Sequence, residues 1–249
     1  DYKRGRKMTE RMNRQFDFDS VKEKEENMKS QLIALASYLE LLPVKVMAVD
    51  NVEADDVIAY LCLTYFKDDE VVIMSSDKDF LQLVTHNVKV WAPSKKKMYG
   101  IDEVLGEYKI HPHNITINRI LDGDTSDNIK GVKGFGPKRL STMFPFLKEE
   151  RRYTIEEVKE YAQQNLEKKG LYRRLLDEYD TVERNNQLMN LHLLEFSTNA
   201  KLKIQGFMNE PTKKLNKMEL LVKFSRDGLS HAFMNFPEWV SKTFQNVKQ

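Results

Sequence analysis

Cysteine is almost absent: Cys62 is the one thiol in 249 residues, so no intramolecular disulfide can form and a reducing cytosol is the expected setting. Nothing in the chain approaches membrane-spanning length as an apolar run, and no secretory signal pattern occurs, so no membrane partner is expected. His86, His111, His113, His192 and His231 share no ligand spacing, and there is no cysteine pair to complete a zinc site. Gly-x-Ser-x-Gly and phosphate-loop patterns are missing. So are internal repeats and low-complexity tracts. Trp91, Trp239 and the phenylalanines read as core rather than as platforms for bases.

What the chain does have is charge, unevenly placed. The net charge is only +2. Yet residues 1–14 carry Lys3, Arg4, Arg6, Lys7, Arg11 and Arg14 against Asp1 and Glu10, and "SKKK" at 94–97 adds a run of lysines. Lys130, Lys133, Lys138 and Arg139 fall in a stretch without an acid. Basic patches beside knots of acid suit a protein that binds polyanions and holds metal among them. With 41% hydrophobic residues, the chain can bury a sizeable core in one large domain or two smaller ones.

The elements read as α/β giving way to helix. Met28, Leu32, Leu35, Ala36, Leu39 and Leu42 recur at helical spacing and stop at Pro43. "VKVMAVD" (44–50), "EVVIMSSD" (70–77) and "VKVWAP" (88–93) read as strands. Between them lie an acidic helix and the short helix "KDFLQLV", the alternation of a parallel sheet. Beyond residue 101 helices dominate, with a weak strand candidate at "AKLKI" (200–204).

Three acidic knots punctuate these elements. Glu53, Asp55 and Asp56 crowd the first turn of the helix that buries Cys62. One acid suffices to cap a helix, and three repel each other unless a cation sits among them. Asp77 and Asp79 follow the strand "VVIMSS", where open α/β sheets bind ligands. The two knots are expected to converge on one sheet edge. The third holds Asp124 and Asp127 in "LDGDTSDNIKGVKGFGPKRL", where Gly134-Phe135-Gly136 precedes Pro137 at a good first helical position. Glycines permit a tight turn and close phosphate approach, and the following helix start favours an anion. This segment reads as a phosphate clamp.

Glu-Ala-Asp-Asp on a helix, Ser-Ser-Asp-x-Asp-Phe after a strand, and Gly-Asp-x-x-Asp-Asn-Ile leading into a hairpin, in that order over residues 51–140, together resemble the 5′ nuclease family. That family covers flap endonucleases, the 5′→3′ exonuclease domains of bacterial DNA polymerases and related phage enzymes. The resemblance implies an α/β, PIN-like nuclease core with a parallel sheet over residues 1–100. A helical region over 101–249 would contain a helix-hairpin-helix at 127–141. It implies two Mg²⁺ ions, replaceable by Mn²⁺, with Glu53, Asp55, Asp56 and Asp77 at the first and Asp79, Asp124 and Asp127 at or near the second. Lys3 and Arg6, in "YKRGR", resemble the basic start of the family's helical arch and would steer the 5′ end and stabilise the phosphate. Lys130, Lys133, Gly134, Gly136, Lys138 and Arg139 would contact DNA, with K⁺ at the hairpin. Asp50 and Asp122 are left outside as turn and capping residues.

The implied substrates are DNA 5′ flaps, nicks and RNA-primed ends during replication or repair. Single-strand-binding protein and a sliding clamp are the implied partners. In the family a strand ending in Asp and a second Asp precede the arch. The resemblance therefore implies that this chain begins after both and is nearly inactive by itself. A second reading stays open, a DNA-junction binder or inactive fragment with an incomplete metal site.

Overall fold

The computed structural model describes residues 21–168, 170–229 and 235–245. They divide into two compact units, one of residues 51–196 and one combining the described residues up to 50 with those after 196.

In the first unit, the β-branched run of β1 (Val71–Met74) pairs in parallel with β2 (Val88–Ala92), in register from Val71↔Val88 to Met74↔Trp91. The crossover is the short 3₁₀ segment Lys78–Leu83, whose Phe80, Leu81, Gln82 and Leu83 are buried. β3 (Lys97–Tyr99) returns antiparallel to β2, giving the order β1-β2-β3. The lysine run is therefore partly a turn and partly an edge strand. Lys95 and Lys97 reach back to Glu107, at 3.0 and 2.8 Å.

Helices complete the unit. α2 (Ala54–Tyr60) carries the first acidic knot and continues as a π-helical turn, Leu61–Tyr65, that buries Cys62. Burial pushes the Cys62 thiol up to about 11, so it is a small apolar group rather than a nucleophile. α3 (Ile101–Tyr108), α4 (Ile115–Asp122), α5 (Pro137–Met143), α6 (Ile155–Gln164), α7 (Gly170–Asp177) and α8 (Tyr179–Met189) follow. Between α4 and α5, Gly123–Asp124 (β4) pairs with Ile129–Lys130 (β5). One hydrophobic cluster runs from Ala59 to Leu191 and crosses residue 100 without a break. The 1–100 and 101–249 segments are therefore divisions to be proposed on functional grounds rather than packing ones.

Buried amides stitch this core. Gln82 donates to Met189 O at 3.0 Å and accepts from Thr116 Oγ1 and Leu191 N at 2.9 and 3.0 Å. Asn185 donates to Ile120 O and Lys130 O, at 2.9 and 2.8 Å, fixing the end of α4 against β5. These bonds position the two loops that carry acids.

The second unit contains α1 (Val21–Leu39), α9 (Thr198–Asn209), α10 (Lys217–Arg226) and α11 (Phe236–Phe244). Tyr38 stacks on Phe224 at 4.9 Å and donates to Asp227 at 2.5 Å. The expected apolar face of α1 stays open, with Leu32 and Leu35 exposed. Two strand expectations fail. "AKLKI" lies inside α9, where Ser197 caps the start by accepting from Ala200 N. Residues 44–50 form no strand among the described residues, and Val44 and Val46 are exposed. Alternating valines suit a strand, but a strand also needs a neighbour for its backbone groups. Instead Lys45 donates to Phe207 O and Met208 O, at 3.0 and 2.8 Å. No described helix is long and apolar enough to cross a membrane.

His192 gives this fold a pH signature. Burial, aided by the positive charge of Arg152, lowers it from 6.5 to about 4, while its ring bonds Gln82 O at 3.1 Å. The unfolded chain therefore takes up this proton first. Stability is full above pH 6.5 and is lost as pH falls towards 4, by up to about 3 kcal/mol. Urea midpoints should fall across that window, and His192→Gln should flatten the slope. An unaltered slope in that variant refutes the assignment.

Candidate active site

Asp77, Asp79 and Asp124 come together after the end of β1. Ser75 N still bonds Trp91 O at 3.0 Å, and the chain then leaves the sheet. Ser75 Oγ accepts from Asp77 N at 3.1 Å, and Asp77 Oδ1 accepts from Asp79 N at 2.9 Å, capping the 3₁₀ segment. Asp77 is exposed. Asp79 turns inward, towards α4.

From α4 comes a residue the sequence motifs do not reveal. Arg119 sits among Ile115, Ile117, Ile120 and Leu121, and its side chain is 7% exposed. Its Nε donates to Asp79 Oδ1 at 2.5 Å and its Nη2 to Asp124 Oδ2 at 2.6 Å. Asp124 Oδ1 meanwhile accepts from Ser126 N and Oγ, at 2.7 and 2.5 Å. Burial tends to raise both carboxyls. At Asp79 burial prevails, helped by Asp77 and Asp124, and its pKa is raised. At Asp124 the bonds from Ser126 and Arg119 outweigh burial, and its pKa is lowered. An isolated arginine in an apolar helix carries one signal, that it needs acids to be buried.

Asp77, Asp124 and Asp127 line one open cleft of about 450 Å³, with Arg119 in its wall. Asp122, left outside the expected set, lines it too. Glu53, Asp55 and Asp56 do not. They line a separate cleft of about 440 Å³ with Gln187, Asn190 and Glu195. The expected convergence on one sheet edge is thus not seen, because no strand over 44–50 ties the start of α2 to the end of β1. Glu53 is the helix N-cap but makes no side-chain capping bond. Asp50 pairs with Lys203 at 2.5 Å.

Among the described residues no three His, Cys, Asp or Glu side chains are close enough to hold a metal ion. In kind the donors fit a hard divalent cation, which takes carboxylate oxygens and keeps waters. In arrangement, two of the carboxylates are drawn onto Arg119.

The glycine-rich turn follows β5 and leads into α5. Gly134 has φ +99°, a conformation that favours glycine, and a side chain there would press on Leu171. Gly136 differs from expectation, since it is extended at φ −159° and a Cβ would meet nothing within 4 Å. Its value to the turn is open space, not backbone freedom. Arg139 Nη1 donates to Gly134 O and Arg174 Nη1, from α7, to Lys133 O, both at 2.9 Å. Two arginines thus brace the turn, and Arg174 carried no sequence signal. Lys130, Lys133, Lys138 and Arg139 are exposed. Residues 125–128, just before, form turns rather than a helix. Lys3 and Arg6 lie outside the described residues.

Comparison with known proteins agrees with the motifs. Residues 1–109 match the family described as 5′-3′ exonuclease, N-terminal resolvase-like domain. The 5′-3′ exonuclease of Aquifex aeolicus is 37% identical over 112 residues, covering 45% of this chain and 39% of that protein. Flap endonuclease Xni of Shewanella amazonensis is 33% identical over 119 residues, covering 47% of each. The chain thus spans less than half the length of these curated relatives. Among solved structures, the bacteriophage T5 flap endonuclease, in a pseudo-enzyme-product complex with DNA and metal ions, aligns with TM-score 0.56 and 19% identity. That alignment covers 85% of this chain and 72% of the phage protein. The shared fold is an α/β flap-nuclease fold, and the resemblance to the 5′ nuclease family holds for this chain.

Proposed function

We propose that the chain is the metal-dependent, structure-specific 5′ nuclease of a replication or repair process, hydrolysing phosphodiester bonds at flaps, nicks or RNA-primed 5′ ends. The observation that carries this reading is the cleft after the carboxyl end of β1, which Asp77 lines together with Asp124 and Asp127 of the following loop. By the resemblance, Glu53, Asp55, Asp56 and Asp77 serve one ion, and Asp79, Asp124 and Asp127 serve or flank the second. Mg²⁺ is the proposed ion and Mn²⁺ its substitute. When bound, such ions polarise the phosphodiester and lower the pKa of an attacking water.

The chain's own residues do the rest. Lys130, Lys133, Lys138 and Arg139 hold duplex backbone, and the open space at Gly136 admits a phosphate. Lys3 and Arg6 steer the 5′ end. Residues 1–100 are the proposed PIN-like core, and 101–249 a helical region in which the segment between α4 and α5, turns and β5 rather than a first helix within 127–141, is the proposed hairpin and K⁺ site. Single-strand-binding protein and a clamp are the proposed protein partners, in the cytoplasm.

The second reading, a junction binder without catalysis, is favoured by one observation: Arg119 already neutralises two of the acids. Single-turnover assays on 5′-labelled flap DNA, with the 249-residue chain alone and with an added N-terminal segment that supplies a strand ending in Asp, separate the two. The nuclease reading expects little cleavage by the chain alone and, with the segment, flap release in Mg²⁺ that EDTA abolishes. Binding without cleavage in Mg²⁺ or Mn²⁺ even with the segment supports the junction binder. Neither binding nor cleavage overturns both.

A further inference from the structure

We infer that Arg119 is a built-in cation of the cleft at the end of β1, occupying the place of one divalent ion and holding Asp79 and Asp124 where they stand. This rests on the reading of the cleft as a metal centre, and it reduces to one the number of ions that the DNA-free protein binds there.

The argument starts from donor capacity. Asp124 has two carboxylate oxygens, and both are engaged: Oδ2 by Arg119, Oδ1 by the N–H and hydroxyl of Ser126. Asp79 gives Oδ1 to Arg119 and is 19% exposed. Asp124 cannot turn to an ion without abandoning a buried guanidinium or Ser126, and Asp79 can offer only the oxygen that Arg119 leaves. Losing one partner of such a buried charge is strongly unfavourable. Asp77 is placed differently. It is exposed and lines the cleft, and the bond its Oδ1 accepts comes from the backbone N–H of Asp79 rather than from a buried cation.

Geometry explains why the cation is arginine. The two carboxylates sit on different elements, Asp79 in the 3₁₀ segment after β1 and Asp124 in β4. A planar guanidinium presents Nε and Nη2 in a fixed fork and bridges both, which a single ammonium on the same helix does less well. Placement on α4, anchored through Thr116 to Gln82 and through Ile120 O to Asn185, fixes that fork relative to both acids. The repulsion among Asp77, Asp79 and Asp124 is thus offset before any ion arrives.

The test counts ions rather than turnover. Mn²⁺ bound to the full chain is titrated by electron paramagnetic resonance of the free ion. Wild type should bind one ion that Asp77→Asn removes. Arg119→Met, which keeps the apolar stem and removes the charge, should bind one further ion, or the same ion at least about tenfold more tightly, because two acids become available. Asp124→Asn should leave Mn²⁺ affinity within about twofold, since that carboxylate is committed to Arg119 and Ser126. Through its one amide oxygen this variant still accepts from Ser126, while it gives up the bond from Arg119 Nη2, whose guanidinium Asp79 still pairs, so it tests the inference even if Arg119→Met does not fold. Unchanged count and affinity in folded Arg119→Met overturns the inference, as does a tenfold loss in Asp124→Asn. If wild type binds no Mn²⁺ that Asp77→Asn removes, the metal-centre reading itself has failed.

Discussion

Gly131→Ala should destabilise the protein by about 3 kcal/mol or more, a large fraction of the stability of an ordinary domain. A Cβ at residue 131 would fall well under 3.0 Å from the backbone of Asp122 and from Leu121 O. Those atoms belong to the end of α4, so no flexible side chain can swing aside. The same turn is held by Val132 N on Leu121 O at 2.8 Å and by Asn185 on Ile120 O and Lys130 O. Relief would require α4 and β5 to part, and β5 is what positions Asp124 opposite Ile129. The substitution should therefore disturb the Arg119–Asp124 contact as well as the fold. Gly106→Ala is the control. Nothing lies within 4 Å of its Cβ, and it sits exposed in α3. It should raise stability by about 0.5–1 kcal/mol through helix propensity. Urea unfolding of both variants measures this, and a wild-type midpoint for Gly131→Ala would show that the two loops can separate freely.

These glycines show where sequence reading stops. Gly134 and Gly136 stand out in the sequence because they flank a phenylalanine before a proline, yet only Gly134 has a positive φ. Gly131, where a Cβ would meet the Asp122 backbone, has no motif to announce it, and the Gly-Asp-x-x-Asp-Asn-Ile motif that contains Gly123 does not reveal that its Cβ would meet the Gly131 backbone. Close approach between segments is a property of the folded pair. The carboxylates, by contrast, were legible because acids clustered after a strand or at a helix start violate ordinary capping economy. Arg119, Gln82 and Asn185 were not. A lone polar residue in an apolar run has the same sequence appearance whether it is a hub or a surface residue.

The sheet shows the same division. β1 and β2 were readable from their runs of β-branched residues and from the short crossover between them. β3 was hidden because Lys97 and its neighbours look like a solvated face until Glu107 and the pairing with β2 are in view. Residues 44–50 had the right alternation and no neighbour. Periodicity reports which face of a segment is apolar, and pairing decides whether the segment is a strand.

In a protein that also carries the N-terminal strand ending in Asp, Asp77→Asn should lower Mg²⁺-dependent flap cleavage by about 10³-fold, the several kcal/mol that an ion's charge stabilisation supplies to phosphodiester hydrolysis. Structure should survive the change. The asparagine carbonyl oxygen can still accept from Asp79 N, the bond that caps the 3₁₀ segment, so the thermal midpoint should move little. DNA affinity should stay within about threefold, because the contacts to backbone come from Lys130, Lys133, Lys138 and Arg139 rather than from the acid. Cleavage at the wild-type rate would remove Asp77 from the metal centre and leave the cleft at β1 without a role. Glu53→Gln is the informative companion, since Glu53 lines the other cleft. A loss as large as that of Asp77→Asn would mean that the start of α2 joins the end of β1 when DNA and metal bind. Retained cleavage would mean that Asp77 and the loop of Asp124 and Asp127 act without it. Either way, the pair measures whether the acids that are adjacent in motif order become adjacent in space.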